Sequence, residues 1–250
     1  MTQPNTSYQG NKLTLYLGSS VLFAWIMLTP FIFGPVVITC IIFPFSVRYA
    51  IANFWVGSIL WVAKVCCGVR YKVEGLENIK DLTAAVVLCK HQSAWETLAL
   101  RQILPTQTAL LKRSLLWLPL WGWALATLKP IAIDRTQQRA ALRMLLDKGT
   151  QYLNEGIWVV VFPEGTRTAP GEVKKFNAGG AMLAEKSGYP VVPIALNSGQ
   201  CWPRYSFLKY PGTITVKIGP VIATEGRKAN DINTEAADWI KNAMAAMEQT

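Results

Sequence analysis

The sequence predicts an α/β fold: a mostly parallel sheet flanked by helices, preceded by an N-terminal membrane-embedded helical hairpin. Three observations carry this reading. The first quarter of the chain is almost free of charge. Strand-like and helix-like segments alternate from Ala84 onward, the pattern of a parallel sheet covered on both faces. The residues best suited to chemistry follow strand candidates, where ligands sit in such sheets.

From Leu13 through Val47, and again from Tyr49 to Ala63, no residue is charged. A single helix over the first run would reach roughly 50 Å, too long for a hydrocarbon core of ~30 Å. Pro30, Gly34 and Pro35 are expected to break it in the middle. Leu13–Thr29 alone would reach about 25 Å, marginal for a crossing. Two arrangements fit: a tilted spanning helix, or a hairpin that dips into one leaflet. The length favours the hairpin. A buried helix pair in a soluble core fits the uncharged length poorly. A cleavable signal peptide fits poorly too, because the run is too long and has no small-residue cleavage site. The expected division is residues 1–65 as membrane-associated helices and 66–250 as the α/β domain.

The elements of that domain follow in order. Ala84–Cys89 is a buried strand and Ser93–Leu104 a helix. The segments "TALLK" and "PIAID" are short strands on either side of the aromatic stretch "LLWLPLWGWAL". Arg135–Gly156 has helical spacing and stops at a glycine. Ile157–Phe162 is a strand of β-branched and aromatic residues, followed by the loop "PEGTRTAPGEVKK". A helix over "NAGGAMLAEKSG", strands over "PVVPIAL" and "TITVKIG", and an amphipathic helix holding Trp239, Ile240, Ala243 and Met247 complete the chain.

The 25 basic and 15 acidic residues give a formal net charge of +10. Such a surface attracts anionic lipid or nucleic acid; the apolar N-terminus and the lack of any nucleic-acid-binding motif favour lipid. Basic residues from Arg48 onward assign the main body to the cytoplasmic side of a membrane. Five cysteines without a C-x-x-C pair, and one histidine, offer no metal-ligand constellation, so no metal is expected. The cysteines read as reduced thiols.

That single histidine, His91, lies between a strand and a helix, with Glu96 five residues on. A carboxylate within reach of one imidazole nitrogen fixes the tautomer and leaves the other nitrogen to take a proton from a hydroxyl. Ser93-x-x-Glu96 is equally a capping box, in which Glu96 bonds back to the helix terminus. A second constellation is "FPEGTRT", Phe162–Thr168. Gly165 lets backbone N–H groups approach an anion, and Arg167 offers a planar fork for phosphate oxygens. Glu164 holds the turn or orients Arg167; composition does not separate these. No phosphate-binding G-x-x-x-x-G-K-[ST] loop is present. Lys112 and Arg113 lead into Trp117, Trp121 and Trp123, a sequence that suits the headgroup level of a membrane or a buried tryptophan-rich core.

With these residues in place, the chain resembles the 1-acylglycerol-3-phosphate acyltransferase family of glycerolipid synthesis. The family's H-x4-D/E motif matches His91 and Glu96, with Glu where Asp is more frequent, and "FPEGTR" matches Phe162–Arg167 in full. The second motif resembles the block from Lys112 through Gly122 to Ile133–Arg135, and the fourth resembles Val192–Leu196. The resemblance spans about residues 70–220 with four motifs in the family's order. It implies an acyltransferase domain in which His91 is the general base oriented by Glu96. Lys112, Arg135, Glu164, Gly165, Thr166 and Arg167 would bind the acceptor, lysophosphatidic acid. It also implies no cofactor, only a co-substrate: an acyl-coenzyme A or acyl carrier protein thioester.

Three alternatives remain. The acceptor is glycerol 3-phosphate or another lysolipid; Cys89 forms an acyl-enzyme, since it shares a strand face with His91; or the chain is a non-catalytic lipid-binding protein. Thioester turnover with a lysolipid acceptor separates the last from the others.

Overall fold

The computed structural model describes residues 8–134, 136–172 and 174–248. It opens with three helices: α1 (Lys12–Leu28), α2 (Pro30–Thr39) and α3 (Phe45–Cys67). The apolar run is interrupted at Thr29, between α1 and α2, as the prolines led one to expect, but the chain does not turn back there. Thr29 keeps right-handed helical backbone, and its N–H donates to the Trp25 carbonyl at 3.1 Å. Pro30 takes a first-turn position, where a missing N–H costs nothing, and Pro35 is carried inside α2. The chain reverses instead at Phe43–Pro44, both extended, after a short 3-10 turn over Cys40–Ile42. The segments Lys12–Ile42 and Phe45–Cys67 are each long and apolar enough to cross a membrane.

The two arms pack closely. A side chain at Gly18 would meet the Cys66 carbonyl oxygen at 2.0 Å, so only glycine allows this approach of α1 to α3. Trp25 Nε1 donates to Ser58 Oγ (3.0 Å) and Trp55 Nε1 to Thr29 Oγ1 (2.7 Å). The outer face is apolar and uncovered: Phe31, Ile32, Ile42, Phe54 and Trp61 are each more than 60% exposed. The inner face is not free. Val56, Ile59, Leu60, Ala63 and Cys67 belong to the same core as the sheet.

The sheet comprises β1 (Val69–Glu74), β2 (Val86–Cys89), β3 (Gln107–Lys112), β4 (Ile131–Ile133), β5 (Trp158–Val161), β6 (Val191–Leu196) and β7 (Gly212–Ile218). Their order is β1-β7-β6-β2-β5-β3-β4. Every pairing is parallel except β6 with β7. The expected fold is the observed one, with β1 added. Strands β2, β5 and β6 are buried at every position, as continuous apolar runs at a sheet centre must be. The covering helices are α4 (Trp95–Ile103), α5 (Trp121–Ala126), α6 (Gln138–Asn154), α7 (Gly179–Ser187), the single turn α8 (Ser198–Cys201) and α9 (Ala229–Glu248). Because β6, β2 and β5 are adjacent and parallel, the loops leaving all three emerge side by side at one edge.

Candidate active site

The loop after β2 carries His91, the loop after β5 carries Phe162–Arg167, and the segment after β6 carries Ser198. His91 Nδ1 lies 2.9 Å from Glu96 Oε1, and its ring stacks on Phe162 with centroids 4.1 Å apart. The histidine side chain is 12% exposed and that of Glu96 is fully buried.

Glu96 makes both sets of contacts that its spacing allowed. Its Oε1 accepts the backbone N–H groups of Gln92 (2.6 Å) and Ser93 (2.7 Å), while Ser93 Oγ accepts the Trp95 N–H (2.9 Å): a capping box at the start of α4. The same oxygen faces the imidazole. The other oxygen, Oε2, accepts from the hydroxyls of Ser93 and Ser198, each at 2.8 Å. Burial alone would push this carboxyl up. Hydrogen bonds from His91 and Ser93, with the nearby imidazole charge, more than offset it, and Glu96 sits below the ordinary Glu value.

Glu164 is buried beneath the loop surface. Its Oε1 pairs with Lys90 Nζ, and its Oε2 accepts the His91 backbone N–H at 2.9 Å. Lys90 also donates to Thr168 Oγ1 (2.9 Å) and to the Glu172 carbonyl (3.1 Å). The Thr168 N–H donates to the His91 carbonyl at 2.8 Å. Burial raises the Glu164 carboxyl above its ordinary value, against the pull of Lys90 and of the His91 N–H. Both oxygens are thus committed to protein partners.

Gly165 holds a left-handed φ of 69°, which a residue with a side chain would adopt only under strain. Thr166 and Arg167 follow half-buried. Among the described residues the guanidinium of Arg167 and the ammonium of Lys112 make no hydrogen bond or ion pair. Lys112 is exposed at the end of β3, two strands from β2 and so about 10 Å away across the sheet. Asp134 is held below its ordinary value by hydrogen bonds from Thr136, with the charges of Arg113 and Lys112 adding to the effect. The expected ligand Arg135 lies outside the described residues. Cys89 is fully buried, and desolvation, reinforced by Glu96 and Glu164, pushes its thiol well above the ordinary value. Such a thiol is a poor nucleophile.

An acyltransferase family model matches residues 70–197, from β1 through the end of β6. The chain is 47% identical over 208 residues to a 1-acyl-sn-glycerol-3-phosphate acyltransferase of Pseudomonas aeruginosa, covering 82% of this chain and 80% of that one. It belongs to the 1-acyl-sn-glycerol-3-phosphate acyltransferase family. The alpha enzyme of Mus musculus is 30% identical over 73% of this chain, which spans 65% of the mouse protein. The crystal structure of the 1-acyl-sn-glycerophosphate acyltransferase PlsC from Thermotoga maritima superposes with a TM-score of 0.79. It covers 96% of this chain and 98% of that one at 21% identity, a likeness of fold.

For this family member, the structure brings His91, Glu96 and the Glu164–Arg167 turn together at one edge and leaves Lys112 at its flank. Three residues of the site were missed in the sequence. Lys90 had a local signal, since a lysine directly after a wholly apolar strand has to find an anion or reach water. Ser198 and Arg204, which donates to the Arg167 carbonyl, reach the site only through the fold and have none.

Proposed function

We propose that this chain transfers a fatty acyl group from a thioester to the free sn-2 hydroxyl of lysophosphatidic acid, giving phosphatidic acid. The observation that carries the reading is the Glu96–His91 Nδ1 contact beside a turn whose Arg167 guanidinium has no hydrogen-bond or ion-pair partner among the described residues. With Glu96 accepting the Nδ1 proton, the basic lone pair belongs to Nε2. Nε2 takes the proton of the acceptor hydroxyl as its oxygen attacks the thioester carbonyl. The new C–O bond forms, the C–S bond breaks, and the proton passes from the imidazolium to the departing thiolate. Glu96 stabilises the imidazolium in between.

Arg167 and Lys112 bind the acceptor phosphate, with Arg135 as a further ligand. Gly165 and Thr166 shape the turn. Glu164 acts from beneath, by fixing the His91 backbone. No metal or cofactor takes part. The donor is an acyl-coenzyme A or acyl carrier protein thioester; both are acidic and suit the net positive charge.

Residues 1–65 act as the membrane-associated part and 66–250 as the acyltransferase domain. The hairpin lies within one leaflet on the cytoplasmic face. Tyr49 near the start of α3 accepts from the Gln107 N–H (2.9 Å), and the helix stays packed to its end at Cys67. The body therefore follows α3 for roughly 27 Å, nearly a hydrocarbon thickness, which supports the single-leaflet reading over a spanning helix.

The test is acceptor-dependent release of free thiol from a long-chain acyl thioester, wild type against His91→Ala. Release that collapses in the folded variant supports the reading. Equal release from both moves the chemistry elsewhere, and none with any thioester or lysolipid leaves a lipid-binding protein.

A further inference from the structure

The segment from Trp202 to Tyr210, between α8 and β7, touches both the turn after β5 and helix α1. At one end the Arg204 guanidinium reaches the turn after β5: Nη1 donates to the Arg167 carbonyl and Nη2 lies 3.3 Å from Glu172 Oε2. That same Glu172 oxygen accepts the Ala169 N–H at 2.8 Å, so Arg204 grips both limbs of the turn. Its side chain is 23% exposed, sheltered enough for these contacts to hold. At the other end the segment is fastened to the hairpin. The Lys209 N–H donates to Ser19 Oγ at 3.0 Å, Ser19 being buried in α1, and the Phe207 and Phe23 rings meet at 5.7 Å. Between the two ends Lys209 Nζ closes the loop on itself, donating to the carbonyls of Ser206 (2.7 Å) and Phe207 (2.9 Å) beneath the Trp202 ring.

We propose that Arg204 is a positioning residue for the acceptor phosphate and that residues 202–210 form a strap through which α1 holds the Arg167 turn in register. The inference rests on the reading of Arg167 as a phosphate ligand. Lys90 supports that turn from beneath, on the side of His91, and Arg204 supports it from outside, on the side of the strap. Loss of Arg204 frees the Arg167 backbone while leaving the His91–Glu96 pair untouched. Acceptor binding then suffers and the chemical step does not. The hairpin thereby does more than hold the enzyme at a lipid surface: its first helix is a fixed support for the binding turn.

The experiment uses the full-length protein in phospholipid nanodiscs, with the thioester that the wild type accepts and lysophosphatidic acid varied. Arg204→Ala is expected to raise KM for the acceptor about tenfold, with kcat changed less than about threefold. Arg204→Lys recovers part of the loss, because an ammonium still donates to the Arg167 carbonyl. Ser19→Ala raises KM several-fold alone and adds nothing in the Arg204→Ala background, since both changes act on one strap. An unchanged KM in Arg204→Ala overturns the inference. A fall in kcat with a lowered melting temperature and no recovery by lysine also overturns it, as a purely structural role. Additive effects of Ser19→Ala and Arg204→Ala overturn the link to α1. A wild type that turns over no lysophosphatidic acid overturns the acceptor reading beneath the inference, and shows itself before any variant is compared.

Discussion

Lys90 and Glu164, from the loops after two neighbouring strands, form an ion pair whose side chains are 7% and 0% exposed. Glu164 uses its second oxygen to hold the backbone N–H of His91. The pair therefore joins the histidine loop to the Arg167 turn from within the protein, and the acid of "FPEGTR" faces inward.

Breaking that pair from one side should be costly. Lys90→Met leaves a buried carboxylate without its cation and is expected to destabilise the fold by about 3–5 kcal/mol. The double variant Lys90→Met/Glu164→Gln has no charge to strand and should recover much of the loss. Denaturant unfolding of the three proteins in detergent reads both effects. Equal destabilisation by the single and double variants would show that the ion pair carries no special cost.

The same carboxyl gives a signed pH dependence. Burial raises Glu164 above its ordinary value near 4.5, so the folded protein holds its proton at higher pH than the unfolded chain does. The stability from this group is full below the ordinary value and is lost as pH rises through the raised one. The stability of wild type minus that of Glu164→Gln should therefore increase as pH falls from 7 toward 4.5. Unfolding free energies across that range check the sign; a difference that shrinks would contradict it.

Glu96 is displaced the other way, and its consequence is kinetic. Glu96→Gln keeps the shape but sets an amide nitrogen against groups that are mostly donors: two backbone N–H groups and two hydroxyls. An amide can also present its N–H to Nδ1, which selects the wrong imidazole tautomer. We expect kcat to fall by at least about 100-fold, with a smaller change in KM for the acceptor. Near wild-type turnover would leave Glu96 a helix cap only.

How far the sequence could reach is clear from particular residues. The central strands were legible because runs such as "WVVV" (Trp158–Val161) and "VVPIAL" (Val191–Leu196) have no polar face to show. Strand β1 was not. "VRYKVE" is mostly exposed at the sheet margin and, among the described strands, pairs with β7 alone, near the other end of the chain, so nothing local marks it. The hairpin turn was misplaced because Pro30 and Pro35 look like breaks, whereas a first-turn proline fits a helix and the reversal needed an extended Phe43–Pro44. At the site, His91 and Glu96 could be paired by spacing. The choice between cap and orienter could not be made, because one oxygen makes both contacts.

Ser198 tests how far the hydroxyls around Glu96 Oε2 hold the carboxylate in place. Ser198→Ala removes one hydroxyl from Oε2 and leaves Ser93, so a loss of about 1 kcal/mol in stability and less than about tenfold in kcat is expected. Ser93→Ala removes a bond to the same oxygen and also the acceptor for the Trp95 N–H, and should cost more in both. Thermal unfolding and steady-state kinetics of the pair give the ranking. The reverse order would mean that the contact across the sheet, and not the helix cap, fixes the carboxylate.

The hairpin's position in the bilayer can be decided at its tip. Ile42 is 82% exposed beside the Phe43–Pro44 reversal, and Arg48 Nη1 donates to the carbonyls of Ile41 (2.8 Å) and Phe43 (3.0 Å), so the turn keeps its shape whatever surrounds it. If both arms lie in one leaflet, a cysteine there meets lipid from either side. Ile42→Cys should then resist a membrane-impermeant maleimide added outside intact cells, and also one added to inverted vesicles, and should react once detergent is present. The parent protein, which carries Cys40 nearby, gives the background. Labelling from outside intact cells without detergent would mean that the tip crosses the membrane. The packing of α3 along the body would then have to open, since Tyr49 cannot reach the Gln107 N–H across a bilayer.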